Sequence, residues 1–159
     1  MVSPGSPLSG VEQRLRELHI ELPEPPTPYG AYVEALESGR LLFLSGMLPV
    51  VNRRPRYVGR LGAEVDVEAG RDALFTASLN ALSAMRAHLG TLDKVARVVR
   101  LGIYLATSGE PIDQPRVADA ASELFVKVFG RAPARLVLGV ASLPLGVPVE
   151  LEVIAEIAP

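Results

Sequence analysis

The chain has 159 residues, with 16 Lys and Arg against 18 Asp and Glu, two His, and neither Cys nor Trp. Without Cys there are no disulfides, thiolate nucleophiles, iron–sulfur clusters or Cys-ligated zinc, and two His leave little room for a His-rich metal centre or a Ser–His relay. A net charge of −2 and a pI near 5.7 argue against a nucleic-acid module, whose affinity comes mainly from clustered positive charge.

This length fits one domain. The opening MVSPGSPLSG has neither the basic stretch nor the apolar core of a secretory signal. The longest nearly uncharged run, Leu136 to Val149, is broken by Pro144, Gly146 and Pro148 and is too short to span a bilayer as a helix. The expectation is a cytoplasmic protein without a membrane partner.

Gly10 to Ile20 places Val11, Leu15, Leu18 and His19 at helical spacing, which predicts a short amphipathic helix with His19 partly buried beside its stripe. Leu22 to Pro28 holds four prolines in seven residues and reads as an extended linker. Residues 1–28 therefore form a leading segment, and residues 29–159 the folded body. Ala31–Leu36 and Leu41–Ser45 read as strands of a hairpin turning at Ser38-Gly39. Asn52–Arg56 reads as a loop, followed by a short strand around Tyr57–Gly59.

Asp66 is a good N-cap and Gly90 a good stop, so a helix should run between them, with Leu74, Ala77, Ala81, Met85 and Leu89 on its apolar stripe. His88 sits in its last turn and reads as structural. Val95 to Ala106 is a long strand, apolar on both alternations and hence central. Asp113 caps a second long helix that tolerates Pro115 in its first turn and ends at Gly130. Arg135–Ser142 and Pro148–Ile157 read as two strands joined in a hairpin by Leu143–Val147.

The order is a short N-terminal helix, then β-β-(β)-α-β-α-β-β, an α+β fold with two long helices on one face of the sheet. The apolar residues on its other face have no cover within the chain, so self-association is expected.

Arg135 opens an otherwise uncharged strand. An arginine there must find an anion or reach water, and its planar fork suits a carboxylate. The plainer alternative is an ion pair with Glu150, Glu152 or Glu156. Glu150 is either an ordinary solvent-face acid or a carboxylate able to orient a water for attack on an electrophile. If the last two strands form a hairpin, Glu150 faces Val140, roughly 17 Å along the strand from Arg135, and the two meet only when different chains supply them. Arg53, Arg54, Arg56 and Arg60 form a basic loop that fits a solvated surface or an intersubunit ion-pair site better than a phosphate site.

The run Pro133-Ala134-Arg135, Leu143-Pro144, Glu150-Leu-Glu152-Val-Ile-Ala155 resembles the signature of the YjgF/RidA family, also labelled endoribonuclease L-PSP. Upstream, Tyr32-Val33, Ser38-Gly39 and Leu44-Ser45-Gly46 are similar to the family's first hairpin. The resemblance covers roughly Gly30 to Ile157. The opening helix and the wording from Gly139 to Gly146 resemble a longer, poorly characterised subgroup.

The resemblance implies a chorismate-mutase-like fold and a homotrimer with clefts between subunits. It also implies hydrolysis of reactive 2-imino acids or enamines, such as 2-aminoacrylate, to 2-keto acids and ammonia, with no metal or organic cofactor. Arg135 would hold the substrate carboxylate, Glu150 would orient the water, and Tyr32, Ser45 and the backbone of Gly46 and Val137 would line the cleft.

Three positions depart from the RidA pattern. Val137 stands where that pattern has Cys, Asp119 where it has Asn, and Met47 where it has Gln. A pocket with Asp119 among its binding residues fits an altered substrate preference or a lost deaminase activity. The alternatives to deamination are an endoribonuclease or translation inhibitor, as the label suggests, and a non-catalytic trimer that binds small carboxylates.

Overall fold

The computed structural model describes residues 10–159. The opening eight residues, rich in Pro, Gly and Ser, lie outside the described residues. The elements are α1 (Val11–Glu17), β1 (Ala35–Ser38), β2 (Leu41–Leu44), β3 (Val50–Val51), β4 (Arg54–Pro55), α2 (Val67–Leu89), β5 (Val95–Ala106), α3 (Gln114–Phe129), β6 (Ala134–Val140) and β7 (Val149–Ile157).

The two long helices begin and end where their caps dictate. Asp66 accepts from the Ala69 amide and Asp113 from the Arg116 amide, each satisfying a free N–H of the first turn. Gly90 and Gly130 close them in the left-handed conformation, at φ of 84° and 75°.

The main sheet has the order β1-β2-β7-β5-β6. The expected closing hairpin does not form. β6 pairs parallel with β5, and β7 inserts antiparallel between β2 and β5. The Leu143–Val147 segment, with a 3-10 turn at Pro144–Gly146, therefore carries the chain across β5 instead of turning it back on β6. A parallel pair needs a long crossover, and α3 supplies it.

Leu42, Leu44, Leu101, Ile103, Leu105, Val149, Leu151, Val153 and Ala155 face α2 and α3 and are buried. They meet Leu74, Ala77, Ala81 and Met85 of α2, and Val117, Ala121, Leu124 and Phe125 of α3, in one core. Two register shifts in β5, between Val95 and Arg97 and between Val98 and Arg100, change the expected alternation. They turn Val98 inward and leave Val99 exposed.

The helices cover one face only. The other carries a polar centre of Arg97, Tyr104, Glu150, Glu152 and Glu156, flanked by exposed Leu41 and Phe43 on one side and Leu136 and Leu138 on the other. It is thus less uniformly apolar than the sequence suggests.

Three local expectations are corrected. The first strand starts at Ala35, because Tyr32 bends back onto the Gly30 carbonyl and regular pairing begins only when Ser45 N–H reaches Glu34. The Arg-rich stretch forms the β3–β4 hairpin, with Asn52 and Arg53 at φ of 52° and 64° as a tight primed turn requires; no strand forms at Tyr57–Gly59. His19 terminates the region of α1 at φ 54° and is exposed.

The described part of the leading segment, from residue 10 on, packs on the body. Leu15 is 1% exposed within the core, and the Glu12 carboxylate accepts from Arg86 Nε and Nη2 and from the Leu92 amide. The proline-rich stretch is held where Ser83 donates to the Pro23 carbonyl. No helix is long and apolar enough to cross a membrane among the described residues.

Candidate functional site

The candidate residues fall into two groups. Tyr32, Ser45, Gly46 and Glu150 line one cleft of about 410 Å³. Arg135, Asp119 and Val137 stand on the other side of the sheet, toward the helices.

The cleft follows from the ends of β2 and β7. Ser45 and Gly46 leave β2 just where its pairing stops, and Met47 bridges to Leu151 in both directions, at 2.7 and 3.0 Å. That bridge lays Gly46 beside Glu150. A β-carbon at Gly46 would overlap Oε1 of Glu150 and sit 2.8 Å from its carboxyl carbon, so only glycine permits this approach. Ser45 Oγ donates to the Val33 carbonyl at 2.6 Å, which leaves its lone pairs available. Tyr32 Oη accepts from the Tyr29 amide at 3.0 Å, fixing its ring at the rim.

Glu150 is half-buried, and among the described residues no donor reaches its carboxylate. Burial raises its pKa above the ordinary carboxylate value. A partnerless, desolvated carboxylate facing a cleft is suited to accepting a proton. Its neighbour along the strand differs: Glu152 accepts from Tyr104 Oη at 3.0 Å.

Sequence reasoning missed several lining residues. Tyr29, Leu48, Pro144 and Leu145 also form the cleft. Leu145 holds φ 58° and is exposed, an uncomfortable conformation for a leucine that aims an apolar side chain into the opening. Its position between Pro144 and Gly146 was the available signal. Tyr29 is fixed by Arg53, whose guanidinium lies 4.6 Å from the ring centroid and whose carbonyl accepts the Tyr29 hydroxyl.

Arg135 does not pair with any acid of β7, contrary to the plainer expectation. Its Nη1 donates to Asp119 Oδ1 at 2.7 Å and to Ser122 Oγ at 3.1 Å, both on α3. Ser122 was missed, although it lies one helical turn beyond Asp119 on the same face. Two of the β7 acids are engaged elsewhere, Glu152 with Tyr104 and Glu156 with Arg40 and Arg97, while Glu150 stays without a partner among the described residues. Val137 packs partly buried against the core.

Neither histidine lies in the cleft. His88 pairs with Glu37 at 2.9 Å, and His19 lies just beyond the C-cap of α1. Among the described residues no three His, Asp or Glu side chains gather as they would to hold a metal ion.

Comparison with known proteins now decides the family. The family model described as "YjgF/chorismate_mutase-like, putative endoribonuclease" matches residues 12–157. The chain belongs to this family. Protein TCP17 of Trypanosoma cruzi is 38% identical over 150 residues, covering 92% of this chain and 94% of that protein. A 2-iminobutanoate/2-iminopropanoate deaminase of Dermatophagoides farinae is 30% identical over 139 residues, covering 87% and 94%. The crystal structure of Atu1372 from Agrobacterium tumefaciens, a protein of unknown function, superposes with a TM-score of 0.83 at 36% identity, covering 94% and 92%. The family thus includes imine deaminases alongside proteins described as endoribonucleases.

Proposed function

We propose that this protein hydrolyses a reactive 2-imino acid, or its enamine tautomer, to a 2-keto acid and ammonia, in clefts between the subunits of a homotrimer. The observation that carries the proposal is Glu150: a half-buried carboxylate with no partner among the described residues, in a cleft with Tyr32 and Ser45. The deaminase name of a relative 30% identical supports the same reading.

The chemistry needs little more than position. An enamine first takes a proton on its β-carbon and becomes an iminium. Glu150 accepts a proton from water as the water oxygen bonds to the imine carbon, and the C=N electron pair moves to nitrogen. Glu150 returns that proton to the nitrogen of the resulting carbinolamine. The C–N bond breaks as a lone pair of the hydroxyl oxygen forms the C=O, ammonia departs and the hydroxyl proton passes to solvent. Holding water and electrophile together supplies much of the acceleration. Arg135 of a neighbouring chain holds the substrate carboxylate, and the open sheet face with its flanking leucines is the surface that joins the chains.

Ribonuclease action is the weaker reading, because both histidines lie away from the cleft and the protein is acidic.

The test is single-turnover disappearance of 2-aminoacrylate with stoichiometric release of pyruvate and ammonia. The wild type should accelerate it and Glu150→Gln should not. Equal rates with and without enzyme would reject the reading.

A further inference from the structure

We propose that Asp119 makes the Arg135 subsite selective for ligands that carry a carboxylate and a positively charged nitrogen together, over plain carboxylates. The inference rests on the reading of Arg135 as a carboxylate-binding group.

Arg135 spends only one corner of its fork. Nη1 serves Asp119 and Ser122, while Nε and Nη2 bond to nothing among the described residues. Asp119 likewise uses only Oδ1 and keeps Oδ2 free. The side chains of the pair are 30% and 46% exposed, so a ligand has access to both unused edges. Ser122, donated to by the same nitrogen, helps hold the guanidinium in this orientation.

The charge balance follows. A lone guanidinium offers a positive subsite, whereas this pair is neutral. A plain carboxylate approaching Nε and Nη2 is attracted by Arg135 and repelled by Asp119 bound at the neighbouring Nη1, and the repulsion offsets part of the attraction. A zwitterion escapes the conflict. Its carboxylate meets the free guanidinium edge while its cationic nitrogen meets Oδ2. In a 2-imino acid the two groups sit on adjacent carbons, matching an arginine and an aspartate in direct contact.

The consequence reaches the reaction. The iminium is the form of an imine that water attacks, and a carboxylate at its nitrogen favours that protonated form. Asp119 thereby determines ligand class and also biases the substrate toward its reactive state.

Calorimetric titration of L-alanine and pyruvate, which share a carbon skeleton, separates these effects without any turnover. Wild type should bind alanine more tightly than pyruvate. Asp119→Asn should lower the alanine-to-pyruvate affinity ratio at least tenfold, with pyruvate binding tightened, and Arg135→Ala should lose both ligands. Asp119→Ser provides the same readout should the Asn variant melt early. A ratio unchanged in a folded Asp119 variant would make Asp119 a structural partner only, overturning this inference and leaving the proposed function intact. If Arg135→Ala binds both probes as wild type does, or if wild type binds neither at millimolar concentration, the carboxylate-site reading fails and this inference with it.

Discussion

Arg135 and Glu150 belong to one sheet but to opposite faces of it. Arg135 shares its row with Leu101 and Val153 and reaches α3, whereas Glu150 stands opposite Tyr104 and turns away from the helices. The rows are three residues apart and the strands two apart, which separates the backbones by about 14 Å. A site that needs both residues must therefore draw them from different chains.

The assembly is the first prediction. Light scattering should give about three times the 16.9 kDa chain mass. Substituting Phe43 and Leu138, exposed on opposite flanks of the open face, each by Asp should shift the population toward monomer. A wild-type monomer at micromolar concentration would contradict the assembly.

Gly46→Ala should lower kcat by tenfold or more with little loss of thermal stability. The added carbon must push the Glu150 carboxylate aside, and that side chain can move while the backbone stays. Unchanged kcat would mean that the position of Glu150 beside Gly46 is unimportant for the reaction.

The raised pKa of Glu150 has two consequences. As a base it must be ionised, so the acid limb of kcat/KM should lie above the ordinary carboxylate value of about 4.3. For stability the sign is reversed from the usual salt-bridged acid. Burial penalises the folded ionised form, so the cost is present above the folded pKa and vanishes below the unfolded one. Glu150→Gln should raise Tm at pH 7, and the gain should fade as pH drops toward 4. A gain that persists at pH 3.5 would contradict the burial account.

Leu15→Ala should cost about 2–4 kcal/mol, because α1 docks this side chain into the core. A loss under about 0.5 kcal/mol in urea unfolding would show that the leading helix is dispensable.

Local signals made the helices and β5 readable. Asp66, Gly90, Asp113 and Gly130 each act within one turn of the chain, and the 12-residue run of β5 needs no partner to be recognised. Strand pairing was not readable in the same way. Two alternating strands around a Pro–Gly loop look like a hairpin, yet the partner of β6 is β5, some 34 positions earlier, and nothing in β6 itself encodes that choice. The β5 bulges were hidden for the same reason, since a bulge is a property of a pair. At the site, residue types were legible while partners were not. Arg135 stood out as a charge in an apolar strand, but its bond to Asp119 depends on how α3 lies over β6.

The central claim is a cleft shared between chains. Arg135→Ala and Glu150→Gln should each be inactive. Unfolded together in equal amounts and reassembled, they should regain roughly a quarter of the wild-type sites, because each cleft in a closed ring pairs two randomly drawn neighbours. Mixed trimers that form but remain inactive would contradict the account.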